Sequence, residues 1–434
     1  MAMRLDGSIA TAVLLLCAVA VWLRSGAGLP DASSRLAAGA HRTRGLRALA
    51  PALVPLAAAG CCWYTLLRSP RGLHDDEAYL CAFRAVSAAR SAYDDCPRYL
   101  YPPLLAQIGA AGLALGSERA VMFALRGANL LAAVWCIVLS LARSGLGELP
   151  RAWLGAALLL WSPSLQEALH VGNISPLVSA FALWGLLSWQ SRPVAAGCAL
   201  GLSIALKPLA LAALPLLALH RALTQPPRNS ALMQQAGATT QPSRNSALTQ
   251  PQLLAAGATM LTFGVLSWPG RHELLRLLQQ NIVHAEALHD VSLQRVAYLL
   301  GLAPRPGFVF VLVTASALLL LRRRPLSAAG FAYVSAAAAL ASQPVLWCHS
   351  LILAYPVGVA ALSRALREPR EPPTEKPHRI AKLTALTLAC LCVAHSDLFG
   401  DLGELTATQP IVAMLAALPL GCAVVLTCYA CGAE

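Results

Sequence analysis

The chain has 434 residues, of which 57% are hydrophobic and only 12% are charged, and its net charge is +13. A soluble protein of ordinary composition carries about a quarter charged residues, so this composition excludes an ordinary soluble domain. The positive charge lies largely in short connections between apolar blocks. This is typical of the cytoplasmic loops of membrane proteins and argues against a nucleic-acid partner.

The apolar blocks are roughly 15 to 22 residues long and do not alternate with period two, which excludes a β-barrel and predicts transmembrane helices. We therefore predict an all-α, polytopic integral membrane protein with about 11–13 transmembrane helices. In chain order, the predicted spans are 8–23, 48–67, 121–142, 152–166, 175–189, 194–206, 209–220, 253–268, 307–321, 326–341, 350–364, 381–397 and 409–429. The segment 103–116 is either a further span or a helix lying in the membrane interface. The first span is favoured as a retained helix over a cleaved signal peptide, because no small-residue cleavage site clearly follows it.

The arrangement of arginine and lysine residues predicts which loops lie on each side of the membrane. They are concentrated in every second connection between the predicted spans, and we assign that side to the cytoplasm. The opposite, extracytoplasmic side receives the loops 68–120, 167–174, 269–306, 342–349 and 398–408. Cys81 and Cys96 share the first of these loops, so a disulfide between them is an open alternative to two free thiols. The cysteines show no pair with metal-site spacing, and no metal site is predicted.

Four features that carry reactive side chains fall on the extracytoplasmic side. They are the acidic run His74-Asp75-Asp76-Glu77, the motif Tyr101-Pro102-Pro103-Leu104, Lys207 between two apolar blocks, and the stretch Pro344 to His349. Each also has an ordinary explanation, respectively a solvated loop, a helix start, a snorkelling lysine and an aromatic interface anchor.

Taken together, these residues supply the groups needed for transfer from a lipid phosphate. A carboxylate takes the proton of an attacking hydroxyl, and Lys207, joined by Arg84 or Arg98, offsets the phosphate charge. His349 either hydrogen-bonds the leaving phosphate or orients the acceptor. The chain has no P-loop and no GxGxxG motif after a strand, and a donor that comes as a lipid needs neither.

The order of the short motifs resembles glycosyltransferase family 87, the polyprenol-phosphate-mannose-dependent α-mannosyltransferases of the GT-C superfamily. The motifs are Asp75-x-x-x-Tyr79, Tyr101-Pro102-Pro103-Leu104, Gly172-Asn173-Ile174-Ser175, Ala205-Leu206-Lys207-Pro208 and Pro344-x-x-Trp347-x-His349. The resemblance covers roughly residues 46 to 365 and implies a GT-C-like architecture. This chain departs from the family pattern at Asn173, where the family has Gln, at Gln343, where it has Ser, and after Asp75, where it has an apolar residue.

The resemblance implies roles for individual residues. Asp75 is the expected general base, with Asp76 as the alternative, and His349 is the second catalytic residue. The residues expected to bind the donor or substrate are Lys207, Asp76, Tyr79, Tyr101, Asn173 and Trp347. The expected reaction inverts the anomeric centre and uses no metal or cofactor.

The resemblance also implies the partners and the place of the reaction. The donor is a polyprenyl-phosphate sugar, most simply mannose, and the acceptor is a lipid or a glycan. The expected location is a bacterial inner membrane, with the site facing the periplasm. A membrane transporter or a flippase for lipid-linked sugars is the alternative, but it predicts ionisable residues near the bilayer midplane and repeated halves, which the hydropathy pattern lacks. A non-catalytic relative is a third hypothesis.

The resemblance divides the chain into three regions. Residues 1–45 form an N-terminal span and a basic cytoplasmic loop, and 46–365 form the transmembrane catalytic region. Within that region, 221–252 is a flexible cytoplasmic linker that carries a short duplication. Residues 366–434 form a cytoplasmic loop and the last two spans.

Overall fold

The computed structural model describes residues 60, 74–144, 160–224, 250–272, 292–302, 306–323, 326, 328–343, 346, 348–367, 376–394, 396 and 409–431. Within these residues the chain forms α-helices and short 3-10 turns and no strand, which confirms the predicted all-α fold. The predicted span 8–23, nearly all of 48–67 and the duplicated segment lie outside the described residues.

The helices are numbered here in chain order. They are α1 (His74–Ser87), α2 (Ala92–Asp95), α3 (Pro103–Leu115), α4 (Glu118–Ser144), α5 (Pro163–His170), α6 (Ser175–Ser188), α7 (Pro193–Leu206), α8 (Ala213–Thr224), α9 (Gln250–Ser267), α10 (Leu293–Leu299), α11 (Pro306–Arg323), α12 (Ala328–Ala341), α13 (Tyr355–Arg367), α14 (Lys376–Ala394) and α15 (Gln409–Cys431). Three 3-10 turns, Pro208–Ala210, Trp268–Gly270 and Cys348–Ala354, extend or connect them.

The lengths and hydropathies of these helices are those of a membrane protein. In the described part of the chain, three helices are long and apolar enough to cross a bilayer, Glu118–Leu139, Leu253–Gly270 and Ile411–Cys431. Seven further apolar helices are 10–17 residues long, shorter than the roughly 20 residues that a perpendicular span requires. The exact number of spans therefore stays a prediction.

Two predicted spans begin with a 3-10 turn that precedes the α-helix. The predicted span 350–364 consists of the 3-10 turn Cys348–Ala354 followed by α13, whose second residue is Pro356. The predicted span 209–220 likewise begins with a 3-10 turn that starts at Pro208. Proline lacks the N–H that would continue a preceding helix, but it suits a helix's first turn.

Helix α7 is held against its neighbours by small residues. It packs along α6 and α9. A Cβ on Gly201 would lie 2.7 Å from the carbonyl oxygen of Thr259, and one on Gly197, four residues earlier, would overlap the carbonyl oxygen of Ala255. Two glycines at this spacing let helix backbones approach closely in lipid, where packing replaces the hydrophobic effect. This contact fixes the position of α7, after which Lys207 follows.

Residues 74–120 of the predicted outer loop are themselves folded. Helix α1 packs on α3, where Phe83 fills the space that a side chain at Gly109 would need. A disulfide joins Cys81 to Cys96, which resolves the alternative left open by the sequence. The Tyr99 hydroxyl donates to the carbonyl of Pro102 at 2.9 Å. These contacts hold Tyr101 against the beginning of α1.

Candidate active site

Four segments that are distant in sequence meet at one end of the helices. They are the first turn of α1, the beginning of α6, the end of α7 and the 3-10 turn Cys348–Ala354. Helices α6 and α7 are joined by a short connection and pack on each other, so the beginning of α6 lies beside the end of α7. This hairpin brings Asn173 and Lys207 to the same place.

Asp75 is half-buried in the first turn of α1. Its Oδ2 atom accepts a hydrogen bond from Nδ2 of Asn173 at 2.6 Å and a longer one from the Tyr101 hydroxyl at 3.4 Å. Hydrogen bonds to an ionised carboxylate are among the stronger ones in proteins, so two such donors orient the side chain.

Asn173 is buried and its side chain is fixed at both ends. Its Oδ1 accepts from the backbone N–H of Ser175 at 2.9 Å and from the Ser175 hydroxyl at 2.7 Å. The bond to an N–H two residues on is an Asx turn, which starts α6. Because the oxygen is occupied by Ser175, the amide nitrogen faces Asp75 and the Tyr101 hydroxyl, which lies 2.7 Å from it.

Lys207 lies where α7 ends, and its extended backbone leads into Pro208. Its Nζ atom donates to the hydroxyls of Ser175 at 2.8 Å and Ser350 at 3.3 Å and lies 5.7 Å from the centre of the Tyr101 ring. The ammonium is therefore bound within the cluster. A hydrogen-bond path connects Asp75 to Lys207 through Asn173 and Ser175.

Gln343 stabilises the turn that follows Lys207. Its Nε2 atom lies 3.3 Å from the carbonyl oxygen of Pro208 and 3.2 Å from that of Leu209, and donates towards both. The side chain is buried at the end of α12. The glutamine at this position thus has a structural role, because it ties α12 to the segment that carries Lys207.

Asp76 faces away from this polar network. It is 7% exposed and forms an ion pair with Nη2 of Arg126 in α4. Its other oxygen, Oδ1, is buried without a hydrogen bond and packs against Gly172. Burial raises the pKa of the Asp76 carboxyl, and the neighbouring Asp75 adds to this rise, while Arg126 opposes it. Glu77, the third acid of the run, is exposed.

The aromatic rings of Tyr79 and Tyr101 pack against each other beside Asp75. Tyr79 is fully buried, and its ring meets that of Tyr101 edge-on with the centres 5.0 Å apart. Burial, together with the charge of Asp75, raises the pKa of both phenols well above the ordinary tyrosine value. Both therefore keep their protons at neutral pH, and Tyr101 acts as a hydrogen-bond donor to Asp75.

The remaining predicted residues are placed only in part. The backbone of His349 lies in the 3-10 turn next to Ser350, so it is adjacent to the cluster, but its side chain and Trp347 lie outside what the structure describes. Arg84 forms a bidentate ion pair with the exposed Glu118, so its charge is already matched, and Arg98 is exposed. Among the described residues, no three His, Cys, Asp or Glu side chains are grouped to hold a metal ion.

Sequence reasoning did not name Ser175 or Ser350 as members of the site, and it did not pair Arg126 with Asp76. Ser175 had a local signal, because a residue two positions after an asparagine is the usual partner in an Asx turn. Arg126 had one too, since an arginine inside an apolar block requires an anion. Ser350 had none, because its partner Lys207 is far away in the sequence.

Comparison with known proteins identifies the family. The chain matches the model of glycosyltransferase family 87 over residues 99–344, more than half of its length. The matched segment contains Tyr101, Asn173 and Lys207, whereas Asp75 lies 24 residues before it and His349 lies five residues after it. No curated protein and no solved structure matches the chain. The family match and the apolar helices together lead to one conclusion: the chain belongs to glycosyltransferase family 87 and is a membrane glycosyltransferase.

Proposed function

We propose that this protein transfers a sugar, most simply mannose, from a polyprenyl-phosphate donor to an acceptor hydroxyl at the extracytoplasmic face of the membrane. The observation that carries the proposal is the hydrogen-bond path from Asp75 through Asn173 and Ser175 to Lys207. It joins a carboxylate to a cation at one end of a group of apolar helices, where a lipid-linked donor would present its phosphate and its sugar.

Asp75 acts in this proposal as the general base. The acceptor hydroxyl gives its proton to the Asp75 carboxylate while its oxygen attacks the anomeric carbon. The bond between that carbon and the phosphate oxygen breaks, and polyprenyl phosphate leaves with the bonding electron pair. Attack opposite the leaving group inverts the anomeric centre, so a β-linked donor gives an α-linked product. The donors Asn173 and Tyr101 support this role, since they hold the carboxylate in one orientation.

Lys207 acts as the electrostatic partner of the departing phosphate. Charge builds up on the phosphate as the glycosidic bond breaks, and a fixed ammonium stabilises it. The bonds from Lys207 to Ser175 and Ser350 support this assignment, because they hold the ammonium in place before the donor arrives. His349, which adjoins Ser350, is proposed to contact the phosphate or the acceptor.

The disulfide supports the proposal that the reaction takes place on the extracytoplasmic side of the membrane. Disulfides persist in oxidising compartments such as the bacterial periplasm and are rare in the cytosol. The bond between Cys81 and Cys96 lies in the segment that carries Asp75 and Tyr101. The arginine-rich connections on the other side of the predicted spans agree with this orientation.

The test measures sugar transfer in membranes that contain the wild type or Asp75→Asn. A radiolabelled polyprenyl-phosphate mannose is supplied, and label entering lipid or glycan is followed. Loss of a general base typically lowers the rate by about 10²- to 10⁴-fold, so we expect such a loss for Asp75→Asn. The matched control is Glu77→Gln, which removes an exposed carboxylate two residues away and should leave transfer unchanged.

Other outcomes would revise the proposal. Transfer that survives Asp75→Asn would move the base to another residue. No transfer by the wild type from a mannose donor would exclude mannose, and a series of other polyprenyl-phosphate sugars would follow. Failure with every lipid-linked sugar would remove the proposed donor class.

A further inference from the structure

We infer that Asp76 and Arg126 form a positioning pair for Asp75. The pair holds the turn at Gly172 and Asn173 against the beginning of α1, and so keeps the amide of Asn173 on the Asp75 carboxylate. This inference rests on the proposed role of Asp75 as the base. It assigns Asp76 and Arg126 no contact with the reacting atoms.

The first observation is that the ion pair is buried. The side chains of Arg126 and Asp76 are only 16% and 10% exposed, whereas those of Arg84 and Glu118, paired nearby, are 58% and 44% exposed. Burying two charges carries a desolvation penalty that well-packed apolar residues of similar size would avoid. A buried pair is therefore poorly explained by stability alone, and its location suggests another role.

The second observation is the close contact between Asp76 and Gly172. The backbone of Gly172 has φ of +75°, a conformation that residues with a Cβ rarely adopt. A Cβ at this position would also overlap Oδ1 of Asp76. The turn at Gly172 therefore packs directly on Asp76, at a position where only glycine fits.

The third observation is the register of these contacts. Asp76 contacts Gly172, and Asp75, the residue before it, accepts a hydrogen bond from Asn173, the residue after Gly172. Two consecutive residues of α1 therefore meet two consecutive residues of the turn. A shift of the turn relative to Asp76 would also move the Asn173 amide relative to Asp75.

The fourth observation is that Arg126 is anchored on the helix that packs against α6. Asn129, one turn further along α4, is fully buried, and its Oδ1 accepts from the backbone N–H of Leu177 in the first turn of α6 at 3.4 Å. Helix α4 therefore contacts α1 through Arg126 and α6 through Asn129. It acts as the support that holds the two segments together.

A positioning role predicts a defined kinetic effect. Arg126→Lys keeps the charge but replaces a planar guanidinium by a flexible ammonium. Small misplacements of a catalytic group can cost up to about 10²-fold in rate, so we expect kcat to fall by roughly 10-fold. The KM for a polyprenyl-phosphate mannose donor should stay within about twofold, because a positioning role gives Arg126 no contact with the donor. Asp76→Asn keeps the shape of the side chain but leaves the buried guanidinium of Arg126 without its anion, so it should have a larger effect of the same kind.

The decisive experiment combines each substitution with Asp75→Asn in the full-length protein. If the pair acts through Asp75, Arg126→Lys lowers kcat in the wild type but has no further effect on the residual transfer of Asp75→Asn. Equal losses in both backgrounds would overturn the inference. Arg90→Lys is the matched control, since Arg90 forms an exposed ion pair with Asp95 and its replacement should change neither kcat nor KM.

A second measurement does not depend on transfer. A water-soluble carbodiimide modifies accessible carboxyls, and mass spectrometry of the peptide that contains Asp75 follows the rate at this residue. We expect a severalfold faster modification of Asp75 in Arg126→Lys and Asp76→Asn than in Arg90→Lys. An unchanged rate would overturn the inference.

Absence of transfer in the wild type would contradict only the proposed function, while the labelling still decides the positioning role. If neither Arg126→Lys nor Asp76→Asn accumulates as folded protein, the positioning role is also overturned, because the pair would then serve folding.

Discussion

Asp75 and Asp76 are adjacent in the sequence but lie in opposite kinds of environment. Asp75 is half-buried and accepts hydrogen bonds from the uncharged groups of Asn173 and Tyr101. Asp76 is buried and paired with the cation of Arg126. Successive residues of a helix point about 100° apart. The first turn of α1 therefore directs one carboxylate to the polar network and the other to α4.

The difference indicates which acid is suited to chemistry. A carboxylate paired with a buried guanidinium is occupied by that partner, and removing its charge would leave the guanidinium unpaired. Because Asp76 is occupied by Arg126, we propose Asp75 and not Asp76 as the base. Three further substitutions test this comparison.

The largest effect on stability is expected from Arg126→Met, which leaves Asp76 buried without its cation. Removing one member of a buried ion pair typically costs about 3–5 kcal/mol, and we expect a loss of that size in the free energy of unfolding. The double variant Asp76→Leu, Arg126→Met should recover most of it. Thermal unfolding of the purified protein in detergent measures both. Equal Tm values for wild type and Arg126→Met would show that the pair contributes nothing.

Arg126→Met also predicts the direction in which stability changes with pH. Burial already raises the pKa of Asp76, and Arg126 opposes that rise, so its removal raises the pKa further. A carboxyl with a raised pKa in the folded state binds its proton more tightly there than in the unfolded chain. Stability is therefore lost as pH rises above the ordinary aspartate pKa of about 4. Arg126→Met should lose more stability at pH 8 than at pH 5.

An intermediate effect is expected from Cys81→Ser combined with Cys96→Ser. The disulfide spans 15 residues and cross-links the segment that carries both carboxylates. A loop of this length contributes about 3 kcal/mol by restricting the unfolded chain. We expect a corresponding loss in the free energy of unfolding, and a lower transfer rate because Tyr101 is less firmly placed. Cys198→Ser, at an exposed free cysteine, is the control. An unchanged Tm in the double variant would contradict this role.

The smallest effect is expected from Tyr101→Phe, which keeps the ring and removes one donor to Asp75. Hydrogen bonds to charged groups contribute roughly 1.5–3 kcal/mol, but this one is long at 3.4 Å and Asn173 remains. We therefore expect a fall of about 10-fold in kcat with Tm nearly unchanged. Tyr298→Phe, at a half-exposed tyrosine of α10, should change neither. A loss as large as that of Asp75→Asn would indicate that Tyr101 has a more direct part in the reaction.

The helix pattern was largely predictable, and the site partly so. Most predicted spans that fall within the described residues correspond to helices, because hydropathy is a sum over neighbouring residues and needs no knowledge of the fold. The differences concern where the helices begin and end. Near Pro208 and Pro356 the predicted spans start as 3-10 turns before the α-helix begins. Asp75, Tyr101, Asn173 and Lys207 were named from short motifs, and the structure brings all four together.

The sequence by itself determined that this protein is an all-helical membrane protein, and its motifs pointed to the family that the comparison later identified. Only the tertiary structure decided the pairing of Cys81 with Cys96, the separation of Asp75 from Asp76, and the bonds of Lys207 to Ser175 and Ser350. The physical reason is the distance along the sequence over which each property is decided. Burial in a membrane is a property of each local segment, whereas a side-chain partner depends on how each helix is rotated and on residues up to 143 positions away.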